Sequence, residues 1–127
     1  NHPMFGGGLV WLYRNLAGMK ADPEQPGYKH IIFKPQPVDQ MEYVKYFYET
    51  SYGRAGIHWE NLPDRFKMNI EVPVGSKSTV YVPSADGSVM ESGKKAEEVD
   101  GIDLLRTENG YAVYQVGSGN YSFEAMN

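Results

Sequence analysis

A mainly β fold, an antiparallel β-sandwich of about eight short strands preceded by one N-terminal α-helix, is what the sequence predicts. Three observations predict it. Apolar residues recur at helical spacing only up to Met19, the period changes to two beyond Gly27, and glycine-containing turn dipeptides punctuate the rest. At 127 residues with 41% hydrophobic side chains, the chain is large enough for one real core.

The helix is expected from about Met4 to Met19. Leu9, Leu12 and Leu16 fall on one stripe, Val10, Tyr13 and Ala17 on the next, and Trp11 lies between them, so only Arg14 and Asn15 interrupt an apolar surface. A helix apolar nearly all round is buried on all sides, and one small sandwich covers a single side. This helix therefore expects more neighbours than the chain supplies, and left uncovered, Leu9, Trp11, Leu12 and Leu16 would form a patch able to drive oligomerisation. Gly6-Gly7-Gly8 would cost about 1 kcal/mol per residue against alanine inside a helix, which places the triplet at the helix start or at a close packing contact. Ala21 to Gly27, with Pro23 and Pro26, ends the helix and serves as a linker.

Strands are expected next at Tyr28 to Phe33, Tyr43 to Thr50 and Ala55 to Trp59 from their aromatic and β-branched content. Phe66, Met68, Ile70 and Val72 alternate with Arg65, Lys67, Asn69 and Glu71, the pattern of a strand with one buried and one wet face, and Val80 and Val82 continue it in another. Val89 to Glu91, Tyr111 to Val116 and Tyr121 to Glu124 complete the set. Asp86-Gly87 and Asn109-Gly110 tolerate positive φ and are expected to close tight hairpins.

Several function classes drop out on composition. A formal net charge of −4 gives no field to draw in phosphate backbones or anionic lipid, so neither nucleic acid nor a membrane is an expected partner. No apolar run approaches the roughly 18 to 20 residues that span a bilayer. With no cysteine there is no disulfide or thiol chemistry, and the compartment stays open, a periplasmic or secreted bacterial setting being favoured over the cytoplasm. The opening Asn1-His2-Pro3 lacks an initiator methionine and a signal-peptide pattern, as an excised piece of a longer chain would.

Chemistry-bearing motifs are sparse. His2, His30 and His58 lie too far apart in sequence for a helical or hairpin metal site, and the acidic run Glu97, Glu98, Asp100, Asp103 lacks calcium-loop spacing, so no metal and no cofactor is expected and the run reads as a solvated loop or short helix. Gly117-Ser118-Gly119 lacks the rest of a dinucleotide fingerprint and reads as a turn. His58-Trp59-Glu60-Asn61 sets an aromatic ring beside a carboxylate and an amide, as sugar binding uses, but Trp59 shares its parity with Ala55 and Ile57, which points it into the core and His58 outward. Tyr43, Tyr46, Tyr48 and Tyr52 carry the same two readings, cross-strand packing and a sugar platform. His2 precedes the helix N-terminus, where free backbone N–H groups and an imidazole can face a polar ligand.

The run NHPMFGGGLVWLYRNLAGM at 1–19 resembles the last helix of the (α/α)6 barrel of bacterial α-L-rhamnosidases, inverting glycoside hydrolases of the family 78 type. GYKHIIFKPQP, YETSYGRAGIHWE, FKMNIEVPVGSKSTVYVPS, VMESGK and YQVGSGNYSFE follow in the order of that family's C-terminal sandwich motifs. The resemblance implies residues 1–26 as the terminal helix of a truncated catalytic barrel plus linker, and 27–127 as the C-terminal β-sandwich domain. It implies a non-catalytic portion of an enzyme that hydrolyses terminal α-L-rhamnose, with the missing barrel as its partner and rhamnose-containing glycan met only through the intact enzyme. The alternative is a carbohydrate-binding β-sandwich module. Inverting hydrolysis needs two carboxyl groups roughly 6.5 to 9.5 Å apart, and in the family both lie upstream of these residues. Asp22, Glu24 and Glu42 match no family catalytic motif, so no catalytic residue is assigned. His2 matches the histidine of the Asn-His-x-Met-Phe-Gly motif, which implies a substrate-binding residue in the intact parent.

Overall fold

The computed structural model describes residues 17–25, 27–38 and 42–126. They form eleven strands: β1 (Met19–Ala21), β2 (His30–Phe33), β3 (Glu42–Thr50), β4 (Gly53–Asn61), β5 (Arg65–Val72), β6 (Lys77–Pro83), β7 (Met90–Glu91), β8 (Lys94–Lys95), β9 (Ile102–Glu108), β10 (Tyr111–Val116) and β11 (Gly119–Met126). A five-stranded sheet in the order β1-β2-β6-β10-β9 and a six-stranded sheet in the order β3-β4-β5-β11-β7-β8 enclose one core.

The two-residue period is realised where the sequence states it most clearly. Phe66, Met68, Ile70 and Val72 of β5 are buried, as are Ala55, Ile57 and Trp59 of β4, and both meet Phe123 and Ala125 of β11 and Val80, Val82, Ala112 and Tyr114 of the opposing sheet. Burying each Val, Ile, Met or Phe side chain contributes about 1.5–3 kcal/mol, so these few strands carry most of the stabilisation. β5 and β11 pair in register over their whole length, from Arg65 opposite Met126 to Val72 opposite Gly119.

Three parts of the expected fold are corrected. The N-terminal helix does not reach Met19, and the described residues contain no α-helical element, only a 3₁₀ turn at Ala96–Glu98. Met19–Ala21 is a strand, antiparallel to β2 with Met19 opposite Phe33. Gly18 adopts φ +83°, and its carbonyl accepts the Lys34 N–H at 2.6 Å, which turns the chain onto the β2 ladder. Ala17 and Met19, on either side of that turn, are both fully buried. Residues 4–16 of the expected helix lie outside the described residues. The sheet thus takes in positions upstream of Gly27.

The second correction is that the sandwich is not wholly antiparallel. β2 and β6 run parallel, His30 opposite Lys77 and Phe33 opposite Val80, because β3–β5 intervene in the other sheet and the chain returns in the direction it left. The third is the strand count: β1, β8 and β9 carry no clear alternation, and in β9 only Ile102 is buried. Asn109-Gly110 does close a tight hairpin, with Glu108 opposite Tyr111. Asp86-Gly87 instead turns the chain between β6 in one sheet and β7 in the other.

Candidate functional site

The outer faces of the two sheets hold the polar side chains that could act on a ligand. On the six-stranded sheet the strand registers set these side chains in rows. Phe47, Gly56, Glu71 and Asn120 lie opposite one another across β3, β4, β5 and β11, and Lys45, His58, Asn69 and Ser122 form the next row. All of these but Ser122 line an open depression of about 500 Å3.

Its construction starts from a glycine. Gly56 sits mid-strand, where glycine weakens a strand but permits close approach, and a Cβ there would collide with the ring carbons of Phe47, so the ring lies directly on the β4 backbone. The Arg54 guanidinium is 4.2 Å from the Phe47 ring centroid and the Lys45 ammonium 5.5 Å. Arg54 Nε also donates to Glu71 Oε1 at 3.2 Å, which holds the guanidinium between ring and carboxylate. Tyr43 packs edge-on against His58 with centroids 4.8 Å apart, and His58 Nε2 is buried with no hydrogen-bond partner among the described residues.

The five-stranded sheet presents a different polar centre. The His30 ring donates from Nδ1 to Asp22 Oδ2 at 2.9 Å, and in the neutral ring Nε2 accepts the Thr79 hydroxyl at 2.8 Å. The Glu24 backbone N–H donates to the other Asp22 oxygen at 3.0 Å. That bond first, and the histidine second, hold the Asp22 carboxyl below the ordinary carboxylate value. Asp–His–hydroxyl order is the order of a nucleophilic triad, but here it ties the segment after β1 to β2 and β6, with both ring nitrogens engaged inside the fold.

The residues singled out in the sequence disperse. His2 lies outside the described residues. Trp59 is buried in the core, its ring 5.5 Å from Phe66, and so is no sugar platform. Of the tyrosines, Tyr43 is 58% exposed and Tyr48 and Tyr52 each 41%, while Tyr46 packs against the core. Asp22 serves His30, Glu24 is exposed, and Glu42 accepts the Val38 N–H at 2.9 Å. Glu97 and Glu98 fall on the 3₁₀ turn and Asp103 on β9. No group of three or more metal-ligating side chains gathers among the described residues. Phe47, Arg54, Asn69 and Asn120 were not singled out; Gly56 inside a strand pattern was the signal that could have pointed to them.

Residues 18–97 match the family described as bacterial alpha-L-rhamnosidase C-terminal domain. The chain is 25% identical over 123 residues to an alpha-L-rhamnosidase of Streptomyces avermitilis, covering 97% of this chain and 11% of that protein. It is 27% identical over 122 residues to an alpha-L-rhamnosidase of Formosa agariphila, covering 95% and 13%. Among solved structures, an alpha-L-rhamnosidase from Dictyoglumus thermophilum superposes with a TM-score of 0.79 at 38% identity over 99% of this chain and 14% of its own. The Streptomyces avermitilis enzyme, solved with L-rhamnose, superposes with a TM-score of 0.76 at 23% identity over 90% of this chain and 10% of its own, a likeness of fold.

Proposed function

Because the chain belongs to the bacterial alpha-L-rhamnosidase C-terminal domain family, we propose that it is the non-catalytic closing domain of an inverting α-L-rhamnosidase and that its sandwich buttresses the catalytic barrel. One observation carries this reading: the chain spans only 11% and 13% of the two relatives' lengths, so most of a rhamnosidase lies outside it. The carboxylates within it support the same reading. Asp22 and Glu42 are hydrogen-bonded to neighbouring structure, and Arg65 is bound by Asp64 at 3.1 Å and Glu124 at 2.7 Å. Such groups are engaged as acceptors within the fold, whereas an inverting site needs one carboxyl kept protonated to donate to the leaving oxygen and another free to activate water.

In this reading the division falls near Gly18: the residues before it complete the barrel, and those from Met19 on, already strand β1 of the five-stranded sheet, stand beside it. His2 binds the terminal rhamnose only when the barrel around it is whole. The barrel is then the sandwich's partner and terminal α-L-rhamnose the parent's substrate. The direct test is incubation of this chain with p-nitrophenyl α-L-rhamnoside. No release of nitrophenol above the uncatalysed rate is expected, and turnover of about 1 s⁻¹ or more, an ordinary enzymatic rate, would overturn the proposal.

A further inference from the structure

The two rims of the sandwich, where the edge of one sheet stands over the edge of the other, are finished differently. We propose that the rim formed by β1 and β3 is the surface that docks on the catalytic barrel, while the rim formed by β8 and β9 stays in solvent.

The β8–β9 rim is closed by the chain itself. Residues 96–101 cross there from one sheet to the other, with Ala96 fully buried, Val99 packed against the core and the Ala96 N–H donating to the Val89 carbonyl at 3.0 Å. Its strands also carry two of the devices that keep sheet edges from pairing, shortness and a bulge. β8 is two residues long, both of them exposed lysines, and in β9 Leu105 is passed over where the register shifts between Val113 and Tyr114.

β3, at the other rim, is neither short nor bulged. It is an edge strand of nine residues, paired to β4 without a shift from Glu42 opposite Asn61 to Thr50 opposite Gly53. Val44, Tyr46 and Tyr48 share the inward face with Trp59, Ile57 and Ala55 of β4, and those three are fully buried. None of the β3 residues is, and Tyr48 is 41% exposed although it points between the sheets. Val38, whose N–H donates to Glu42 at the start of β3, is 78% exposed. Aromatic residues, tyrosine among them, are what protein interfaces are enriched in.

The path of the chain names the occupant. It reaches the sandwich at Gly18, whose carbonyl takes the Lys34 N–H at 2.6 Å, and the segment from Lys34 to Val38 leads from that contact to β3. Tyr28, at the turn into β2, meets Tyr48 with ring centroids 5.1 Å apart, so the β1 end of one sheet stands over the β3 end of the other. Whatever precedes Ala17 joins the sandwich at this rim, and parts of a chain joined by a short connection lie beside each other. The inference rests on the rhamnosidase reading for what that body is. A barrel of helices covers an open strand by laying a helix or loop against it, another of the ways proteins protect an edge.

The test is hydroxyl-radical footprinting of this chain and of the full-length parent, read by mass spectrometry. Val38 and Tyr48 report on one rim, and Leu104 and Leu105, both exposed on β9, on the other. Oxidation of Val38 and Tyr48 is expected in this chain and is expected to be lost in the parent, with Leu104 and Leu105 reacting alike in both. Unchanged oxidation of Val38 and Tyr48, or equal loss at the two rims, overturns the proposal. So does protection within this chain that disappears on dilution, which assigns the rim to a second copy. Assay of the same parent on p-nitrophenyl α-L-rhamnoside keeps the two readings apart. A parent that cleaves it but leaves Val38 and Tyr48 reactive ends this inference alone; one that protects them without cleaving it ends the rhamnosidase reading alone.

Discussion

The outer face of the five-stranded sheet is roofed by its own side chains, while that of the six-stranded sheet is left open. On the roofed side Val113 points away from the core yet is fully buried. Tyr81 and Tyr111 meet edge to face with centroids 5.7 Å apart, and the Lys34 ammonium sits 4.8 Å and 5.4 Å from the two rings. Arg106 donates to the Tyr81 hydroxyl at 2.9 Å and to Glu108, and the Tyr111 hydroxyl donates to the Pro35 carbonyl at 2.8 Å. These bonds strap the irregular segment after β2 onto the sheet. The same residue types on the other face, Phe47, Arg54, Lys45 and Glu71, strap nothing. The difference teaches that a ring-and-cation cluster binds distant parts of the chain together where it holds a loop, and stays a local surface feature where it holds only itself.

The comparison breaks most visibly at two glycines. A Cβ at Gly18 would overlap the Lys34 carbonyl group, backbone that cannot move aside, and the residue also needs φ +83°. Gly18→Ala is expected to destabilise by about 2 kcal/mol or more in urea titrations. At Gly56 the collision is with the swinging ring of Phe47, so Gly56→Ala should cost under about 1 kcal/mol while displacing the ring, visible in the shifts of its signals. The next largest contrast is between outward positions: Val113→Ala is expected to cost about 1.5 kcal/mol from the buried carbons lost, Asn69→Ala no more than about 0.5. Equal losses at the two positions would mean the second face is covered after all.

A pH effect is expected on the roofed side. The folded carboxyl of Asp22 lies below its ordinary value of 3.8, so its contribution is whole above that value and is lost as pH falls through the lower folded value. Asp22→Asn should flatten that part of the acid dependence of the urea midpoint; an unchanged profile would show the carboxylate to be idle. The smallest effect is expected between the sheets. The Tyr114 hydroxyl is buried without a hydrogen-bond partner among the described residues, and burial pushes its pKa up to about 12. Tyr114→Phe should leave stability unchanged or raise it by up to about 1 kcal/mol.

What the sequence disclosed follows from where each signal lives. The two-residue period of Phe66, Met68, Ile70 and Val72 is a local signal, and the strand and its buried face could be read directly from it. The inward direction of Trp59 was legible for the same reason. Met19–Ala21 was not, because three residues are too few to show a period and the apolar run before them reads as helix. β9 was hidden because an edge strand with one buried residue has no face to alternate against. The parallel pairing of β2 with β6 is a property of the path between them, which local patterning does not encode. The open face escaped notice because Phe47, Arg54, Asn69 and Asn120 become neighbours only through three separate registers.

Strand β11 lies in the middle of the six-stranded sheet, between β5 and β7, although it comes after all of them along the chain. During synthesis β3, β4 and β5 can zip into a meander early, but the free edge of β5 waits until residues 119–126 leave the ribosome. Until then a row of unpaired backbone groups stands open to another nascent chain. A stop codon or proteolytic nick just before Gly119 would therefore divide the sheet through its centre instead of trimming its border.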